Sequence, residues 1–513
     1  GYLGHGWLWL LKAGESHRYP PLYLLPGIPV KAAITRYEKE LGLNRTLADK
    51  VKSPEKLATL KNAVLLRAHA RKVGEHMAML DGIPAASLFH FTEYLTGGFD
   101  KQYPDHLPVR ESYGTGEQFA ELYRKGQRMG HLMMPYTNTS WWCIGPKGPT
   151  FERAGNAPLL RKLDGSLSKE RYATNEGYTV CYWHPEQIAV HRRTHQEMVV
   201  QYPSDVLFQD QIGARGFRWD TSDAAPYATS AVEGLNSLAM EDAEKVPVAT
   251  EDGYDRVAQF ETMLCGMAWG MIPAAGRHAS GHNRLKFMDG EWEFFPLLGY
   301  LAHDNCLFTA HDLGHFISNP ERLAYALAFG YGMTEVSNVA RLKQPEHRAW
   351  LFWLDAVQKT VCAEYGGQPL LDFTYPLADV PGANRSVMLA RYQGVTVLSN
   401  TSDEPLSMSS IKAPEFAAYA KATVAGPGFL AVGPNVQAGM LHQPEGPAFA
   451  FAVRQIDGKT RGGVLAESGQ LVPAGVPTDL LRKVSWQELD KEQKTSQPRA
   501  KGQLATPEAA AKK

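Results

Sequence analysis

Hydrophobic positions change rhythm twice along this chain. Between Lys31 and about Leu80 they recur at helical spacing: Leu57, Leu60, Ala63, Val64 and Leu65 fall close to one face. Ser53 followed by Pro54 supplies an N-cap with proline at the first helical position. From about Ala85, short apolar or aromatic runs alternate with polar loops and helices. Ala86–Phe91 (ASLFHF) reads as the first strand, Leu132–Tyr136 as the second and Tyr178–Trp183 (YTVCYW) as the third. Asp205–Gln209 (DVLFQ) reads as the fourth and Val246–Thr250 (VPVAT) as the fifth. Met263–Pro273 supplies a sixth, Leu297–Ala302 a seventh, and Asn319–Pro320 caps a helix that leads to a last run at Gly330–Met333. The helices between them include Glu117–Gly130 and His184–Gln201, the latter opened by Pro185. Strands and helices alternating at this length imply parallel strands with right-handed crossovers. Seven or eight units over roughly 250 residues is the size of a (β/α)₈ TIM barrel.

After about Tyr375 the helical pattern stops. Val395–Leu398, Phe429–Val432, Ala448–Val453 and Gly463–Leu465 are short runs separated by turn clusters such as SNTSDEP and DGKTRGG, the pattern of an antiparallel β-sandwich. The expected organisation is an N-terminal segment over 1–80, a barrel over 81–375, a β-sandwich over 376–489 and a disordered tail over 490–513. The first thirty residues mix Gly, Trp and Pro and read as the end of a β domain that begins upstream.

Charge narrows the partners. Lys plus Arg number 53 against 54 for Asp plus Glu, so no global field gathers nucleic acid or anionic lipid. No stretch reaches the roughly 18 uninterrupted apolar residues of a membrane span. The chain opens at Gly1 without Met or a leader pattern, which leaves a secreted or periplasmic location open through earlier processing. Five cysteines (Cys143, Cys181, Cys265, Cys306, Cys362) stand far apart with no CxxC pair, the spacing of buried apolar side chains rather than a zinc knuckle or disulfide framework. No cofactor motif is present: GxSxG and the P-loop are both missing.

In a parallel barrel, the strands' carboxyl ends and the loops after them form the active face. The polar and aromatic residues expected there are Glu93, Asn138, Trp141, Asp210, Gln211, Glu251, Asp252, His303 and Asp304. Asp210 and Glu251 end consecutive apolar strands, and adjacent parallel strands lie about 4.8 Å apart. Two carboxyls about 5–5.5 Å apart across a glycosidic bond are the requirement of a retaining glycosidase, one as nucleophile, the other as acid and then base. A carboxylate at a strand end is also an ordinary turn former or helix cap, and the pattern alone balances the two readings. Substrate contacts fall on Trp141 (one of the Trp141–Trp142 pair as a stacking platform, the other as core), on Tyr136 and Asn138 for hydroxyls, and on Trp219 and Asp220 beside the reacting sugar. His303, Asp304 and Glu93 complete the set. The partner implied is an oligosaccharide or glycoconjugate, with oligomeric state open.

The segment DVLFQDQIGA resembles the fourth-strand motif of a family of uncharacterised barrel proteins described as glycosidases, in which a DG-apolar-apolar-apolar-DQ run ends in the nucleophile. HLMMPYTNTSWW is similar to their second strand and PLLGYLAHDN to their seventh. The wider resemblance is to endo-α-N-acetylgalactosaminidases and other α-glycosidases. It implies Asp210 as nucleophile, Glu251 as acid/base and α-linked substrates, and it spans roughly Leu80 to Tyr331. This chain departs from the motif at Ser204–Asp205, which replaces the usual Asp-Gly start, and in an N-terminal β-sandwich that is not evident.

Two rival readings remain. A metal-dependent barrel hydrolase is suggested by His191–His195, His278–His282 and His311–His315, although His191–His195 has no HExxH glutamate and is flanked by Arg192 and Arg193. The other rival is a carbohydrate-binding barrel that has lost its chemistry.

Overall fold

Three of the apolar runs, LLRA, LFHF and LMMPYT, are buried at every position, as parallel strands covered on both faces require. The computed structural model in which they appear describes residues 23–465, apart from 267–294, 311–315, 379–384, 443–448 and 457–458, together with 13, 14, 16 and 18. Eight parallel staves form the barrel. They are β1 (Leu65–Ala68), β2 (Leu88–Phe91), β3 (Leu132–Thr137), β4 (Leu207–Gly213), β5 (Val248–Asp252), β6 (Met263–Cys265), β7 (Leu307–Thr309) and β8. The eighth runs in two pieces, Tyr331–Gly332 beside β7 and Thr334–Ser337 beside β1. The Leu65 N–H donates to the Met333 carbonyl at 3.0 Å, so the interruption at Met333 does not open the ring.

Capping chemistry sets where the helices start. Thr115 closes a capping box with Gln118 ahead of Gly116–Arg128, whose Phe119, Leu122 and Tyr123 are buried. His184 caps Pro185–His195, and Asn319 caps Pro320–Ala328. Gly126 lets its helix lie against β3, since a Cβ there would stand 2.3 Å from Met133 Sδ.

The (β/α)₈ barrel and the antiparallel β-sandwich that follows it are both present, but three runs have other identities. The helix opened by Ser53–Pro54 ends at Asn62, and the apolar residues after it leave the helix to form β1. Tyr178–Trp183 is not a stave: Asn175–Thr179 belongs to a three-stranded antiparallel insert after β3, with Trp141–Cys143 and Lys169–Tyr172. Leu297–Ala302 is helical, and β7 begins only at Leu307. The missed first stave and the extra third one offset each other, so Asp210 and Glu251 stand on the fourth and fifth staves.

In the sandwich, alternate residues of one sheet serve two cores. Val387, Leu389, Leu398, Phe449 and Phe451 pack within the domain, whereas Met388, Ala390, Tyr392, Val397 and Phe429 join the apolar core of the barrel. The sheet starts at Leu370–Thr374, which pairs antiparallel with Val387–Tyr392. All five cysteines are buried free thiols. Among the described residues no helix is long and apolar enough to cross a membrane. The expected disordered tail 490–513 and His278, His282, His311 and His315 lie outside the described residues.

Candidate active site

The carboxyl ends of β1 to β5 surround one cavity of about 150 Å³. β1 contributes Arg67, β2 and its exit His90 and Thr92, β3 and its exit Tyr136 and Asn138, β4 Phe208, Asp210 and Gln211, and β5 Glu251. Phe99 and Asp100 come from the loop after β2, and Trp141 and Tyr172 from the antiparallel insert.

Strand alternation sorts the side chains of β4. Gln209 points away from the barrel axis and donates to Asp242 at 2.6 Å, while Phe208 and Asp210 face the cavity. Gln209 is registered with Thr250, and Asp210 and Glu251 are the next residue on each of these adjacent staves. The backbone then bulges between Gln209 and Gly213. Gln211 (φ 69°) and Asp252 (φ 53°), the residues right after the two carboxylates, both adopt the left-handed conformation. Non-glycine residues held there cost on the order of 1–3 kcal/mol each, and such strain clusters at functional sites. Gly213 permits the close approach of the two stave ends: a Cβ on it would lie 2.6 Å from the Asp252 carbonyl oxygen.

Two donors orient Asp210. The Tyr136 hydroxyl reaches Oδ2 at 2.7 Å and Asn138 Nδ2 reaches the same oxygen at 3.0 Å. Burial, reinforced by the Asp210 charge, raises Tyr136 well above the usual phenol value, so it remains a neutral donor. Asn138 is itself fixed, its Oδ1 accepting from the Ser140 N–H and Oγ at 3.0 Å each. The rings of Tyr136 and Phe208 stack with centroids 5.7 Å apart, and Trp141 meets Tyr172 edge-on at 5.2 Å. Gly177 makes room for Trp141, because a Cβ there would stand 2.4 Å from the indole.

Asp100 and Arg67 were not anticipated from the sequence. Burial pushes the Asp100 carboxyl up to about 6, and the charge of Glu251 adds to the rise, against the opposing influence of Tyr103 and Lys101. Its backbone is left-handed (φ 56°), with its N–H donating to the Tyr103 hydroxyl at 3.1 Å. Arg67 is 5% exposed and donates to Thr92 Oγ1 at 2.8 Å. The cavity is therefore lined by three carboxyls, one guanidinium, one imidazole and the five aromatic rings of Phe99, Tyr136, Trp141, Tyr172 and Phe208.

Of the residues singled out from sequence, Asp210, Gln211, Glu251, Tyr136, Asn138 and Trp141 meet in this cavity. Trp142 is core, its indole N–H donating to Gln187 at 3.0 Å. The structure does not bring the others to it. Glu93 turns toward His69 (2.9 Å). Burial would raise its carboxyl, but the His69 hydrogen bond, Arg67 and His76 hold it down at about 2. Asp220 is fully buried and accepts from the Ser222 N–H at 2.9 Å, which makes it a turn former. Trp219 lines a separate surface groove. His303 and Asp304 precede β7 instead of following it, so they stand at the opposite end of the barrel. There the His303 ring nitrogens lie 2.6 Å from the Gln368 carbonyl and 2.9 Å from that of Gly330. His191 and His195 converge on Asp242 at 2.9 and 2.7 Å, behind β4 and away from the cavity. Among the described residues no group of three or more His, Cys, Asp or Glu side chains is placed to hold a metal ion.

No protein-family model matches the chain, and no curated protein matches it. Solved structures do. The α-N-acetylgalactosaminidase NagBb from Bifidobacterium bifidum, in its Gal-NHAc-DNJ complex, superposes with a TM-score of 0.55 at 15% identity over 74% of this chain and 63% of that one. Its GalNAc complex gives 0.56 at 15% identity, over 72% and 61%. The two proteins share a fold. This chain spans less than two thirds of NagBb's length. A GH31 family sulfoquinovosidase from E. rectale is a more distant match, with a TM-score of 0.47 at 13% identity over 81% of this chain and 65% of that one.

Proposed function

We propose that the protein is a glycoside hydrolase that cleaves an α-linked sugar with retention of configuration. The observation that carries this reading is that Asp210 and Glu251, from neighbouring staves, line one cavity together with Tyr136, Trp141, Tyr172 and Phe208. In the first step the Asp210 carboxylate attacks the anomeric carbon while Glu251, as the acid, protonates the departing oxygen. The glycosidic C–O bond breaks and a glycosyl ester forms on Asp210. In the second step Glu251, now a carboxylate, takes a proton from water as the water oxygen attacks the anomeric carbon, and the ester bond breaks. Tyr136 and Asn138 hold the nucleophile's Oδ2, which aims the carboxylate and stabilises it as an anion. Asp100 and Arg67 are placed to contact substituents of the same sugar. The α-preference follows the sequence resemblance, and the fold shared with an α-N-acetylgalactosaminidase makes nitrophenyl α-N-acetylgalactosaminide the first substrate to try.

A panel of nitrophenyl α- and β-glycosides tests the reading, with product stereochemistry read by NMR. The expected result is turnover of an α-glycoside with retention. Asp210→Asn and Glu251→Gln are each expected to lower kcat by at least about 10²-fold, the scale that acid–base catalysis supplies. Inversion overturns the two-step mechanism. Full activity of both variants overturns the site.

A further inference from the structure

Outside the cavity, the loop after β4 and the antiparallel insert face each other across a surface groove of about 360 Å³. Trp219 and Arg218 form one side; Leu160, Lys162, Leu163 and Asp164 contribute to the other. The two sides are tied together at their base. The Thr221 N–H donates to the Arg161 carbonyl at 2.8 Å, Thr221 Oγ1 to the Lys162 carbonyl at 2.9 Å, and the Arg161 N–H to Ser222 Oγ at 3.1 Å. Phe217 meets Trp219 edge-on with centroids 5.1 Å apart. The backbone of the groove is therefore held in place before anything enters it, which limits the ordering that binding requires.

The wall between groove and cavity is one layer of linked side chains. Arg218 Nη2 pairs with Glu170 Oε1 at 2.6 Å, and the Tyr172 hydroxyl donates to Glu170 Oε2 at 3.1 Å. Arg215 pairs with the same carboxylate at 2.7 Å and reaches Gln211 Oε1 at 2.6 Å through Nη2. Tyr172 and Gln211 line the cavity; Arg218 lines the groove. A ligand long enough to cross that wall touches both.

We infer that this groove binds a further sugar unit of the oligosaccharide whose linkage is cleaved in the cavity, with Trp219 as its platform. An indole offers a flat apolar face to the C–H side of a pyranose ring. Lys162, Asp164 and Arg218 stand around the rim, where ring hydroxyls need donors and acceptors. An apolar peptide side chain would use only the indole face, whereas a sugar uses the apolar face and the polar rim at once. The inference rests on the hydrolase reading and adds that the enzyme favours longer chains.

The test compares kcat/KM on the nitrophenyl monosaccharide with that on α-linked di-, tri- and tetrasaccharides of the same terminal sugar, for wild type, Trp219→Ala and Trp219→Phe. Wild type is expected to prefer the longer substrates. Trp219→Ala should lose about tenfold more on the tetrasaccharide than on the aryl glycoside, mostly through KM, and Trp219→Phe should recover part of that loss. Wild-type turnover independent of chain length overturns the inference, as does a Trp219→Ala loss equal on every substrate. A wild-type protein inert toward every glycoside overturns the hydrolase reading itself, so the two failures are told apart.

Discussion

Asp100 places a titratable carboxyl inside the cavity, and its protonation is coupled to folding. Its folded-state pKa of about 6 lies above the ordinary carboxylate value, chiefly through burial. The folded protein therefore holds that proton more tightly than the unfolded chain. This contribution to stability is complete below about pH 4 and is lost as pH rises through 6. Asp100→Asn cannot ionise, so its Tm relative to wild type should rise between pH 4 and pH 8. Differential scanning fluorimetry across that interval checks the sign, and a constant offset between the two proteins contradicts the assignment. Neither Asp100 nor Arg67 was legible in the sequence, for different physical reasons. Asp100 lies in TGGFDKQYPDH, a stretch of turn residues in which any carboxylate reads as a turn former. Arg67 ends an apolar run whose spacing fits a helix as well as a strand, and reading it as helix hid the stave that aims it.

At the scale of elements, β4 and β5 were legible because each is a short apolar run closed by a carboxylate. Their meeting point depends on features with weaker signatures. The bulge in β4 and the close approach of Gly213 to β5 are tertiary facts, and a glycine in GAR reads from sequence as an ordinary loop residue. The helix Leu297–Ala302 shows the opposite case: six mostly apolar residues are too few to separate helix from strand by period, and the His-Asp pair after them was thereby assigned to the wrong end of the barrel. Gly213→Ala tests the bulge directly. The atoms its Cβ would meet are all backbone, the Asp252 carbonyl at 2.6 Å and the Glu251 oxygen at 2.8 Å, so no side chain can swing aside. The two stave ends must separate, and displacement of catalytic groups by about 1 Å costs on the order of 10²-fold in rate. Gly216→Ala is the control, since nothing lies within 4 Å of its added Cβ. Glycosidase assays on both variants should show a large loss for the first and almost none for the second. Equal activities would mean that the approach of the staves has no bearing on catalysis.

For the whole molecule, the question is whether barrel and sandwich are one folding unit. The sandwich sheet presents alternate residues to each side, and its barrel-facing set merges with the barrel core instead of meeting it across a polar seam. Tyr392 stands at that junction. Its ring lies 4.7 Å from His303 and 4.9 Å from Tyr365, and its hydroxyl donates to the Ala328 carbonyl at 3.1 Å. Arg454 pairs with Glu364 at 2.8 Å across the same boundary. His303 thus has a structural account: it seals the end of the barrel remote from the cavity against the sandwich. A junction that is apolar, buried and continuous couples the two domains, whereas a small polar interface would let them melt independently. Calorimetry on the full chain should therefore show a single unfolding transition. Tyr392→Ala removes a fully enclosed aromatic side chain at a cost of about 3–5 kcal/mol. For a cooperative unit of this size that corresponds to a shift of roughly 3–5 °C, because unfolding entropy grows with the number of residues that melt together. The whole transition should move, not a fraction of it. A thermogram that splits, with one peak holding the wild-type position while the other falls, would show that the shared core does not couple the domains and that the barrel stands without the sandwich behind it.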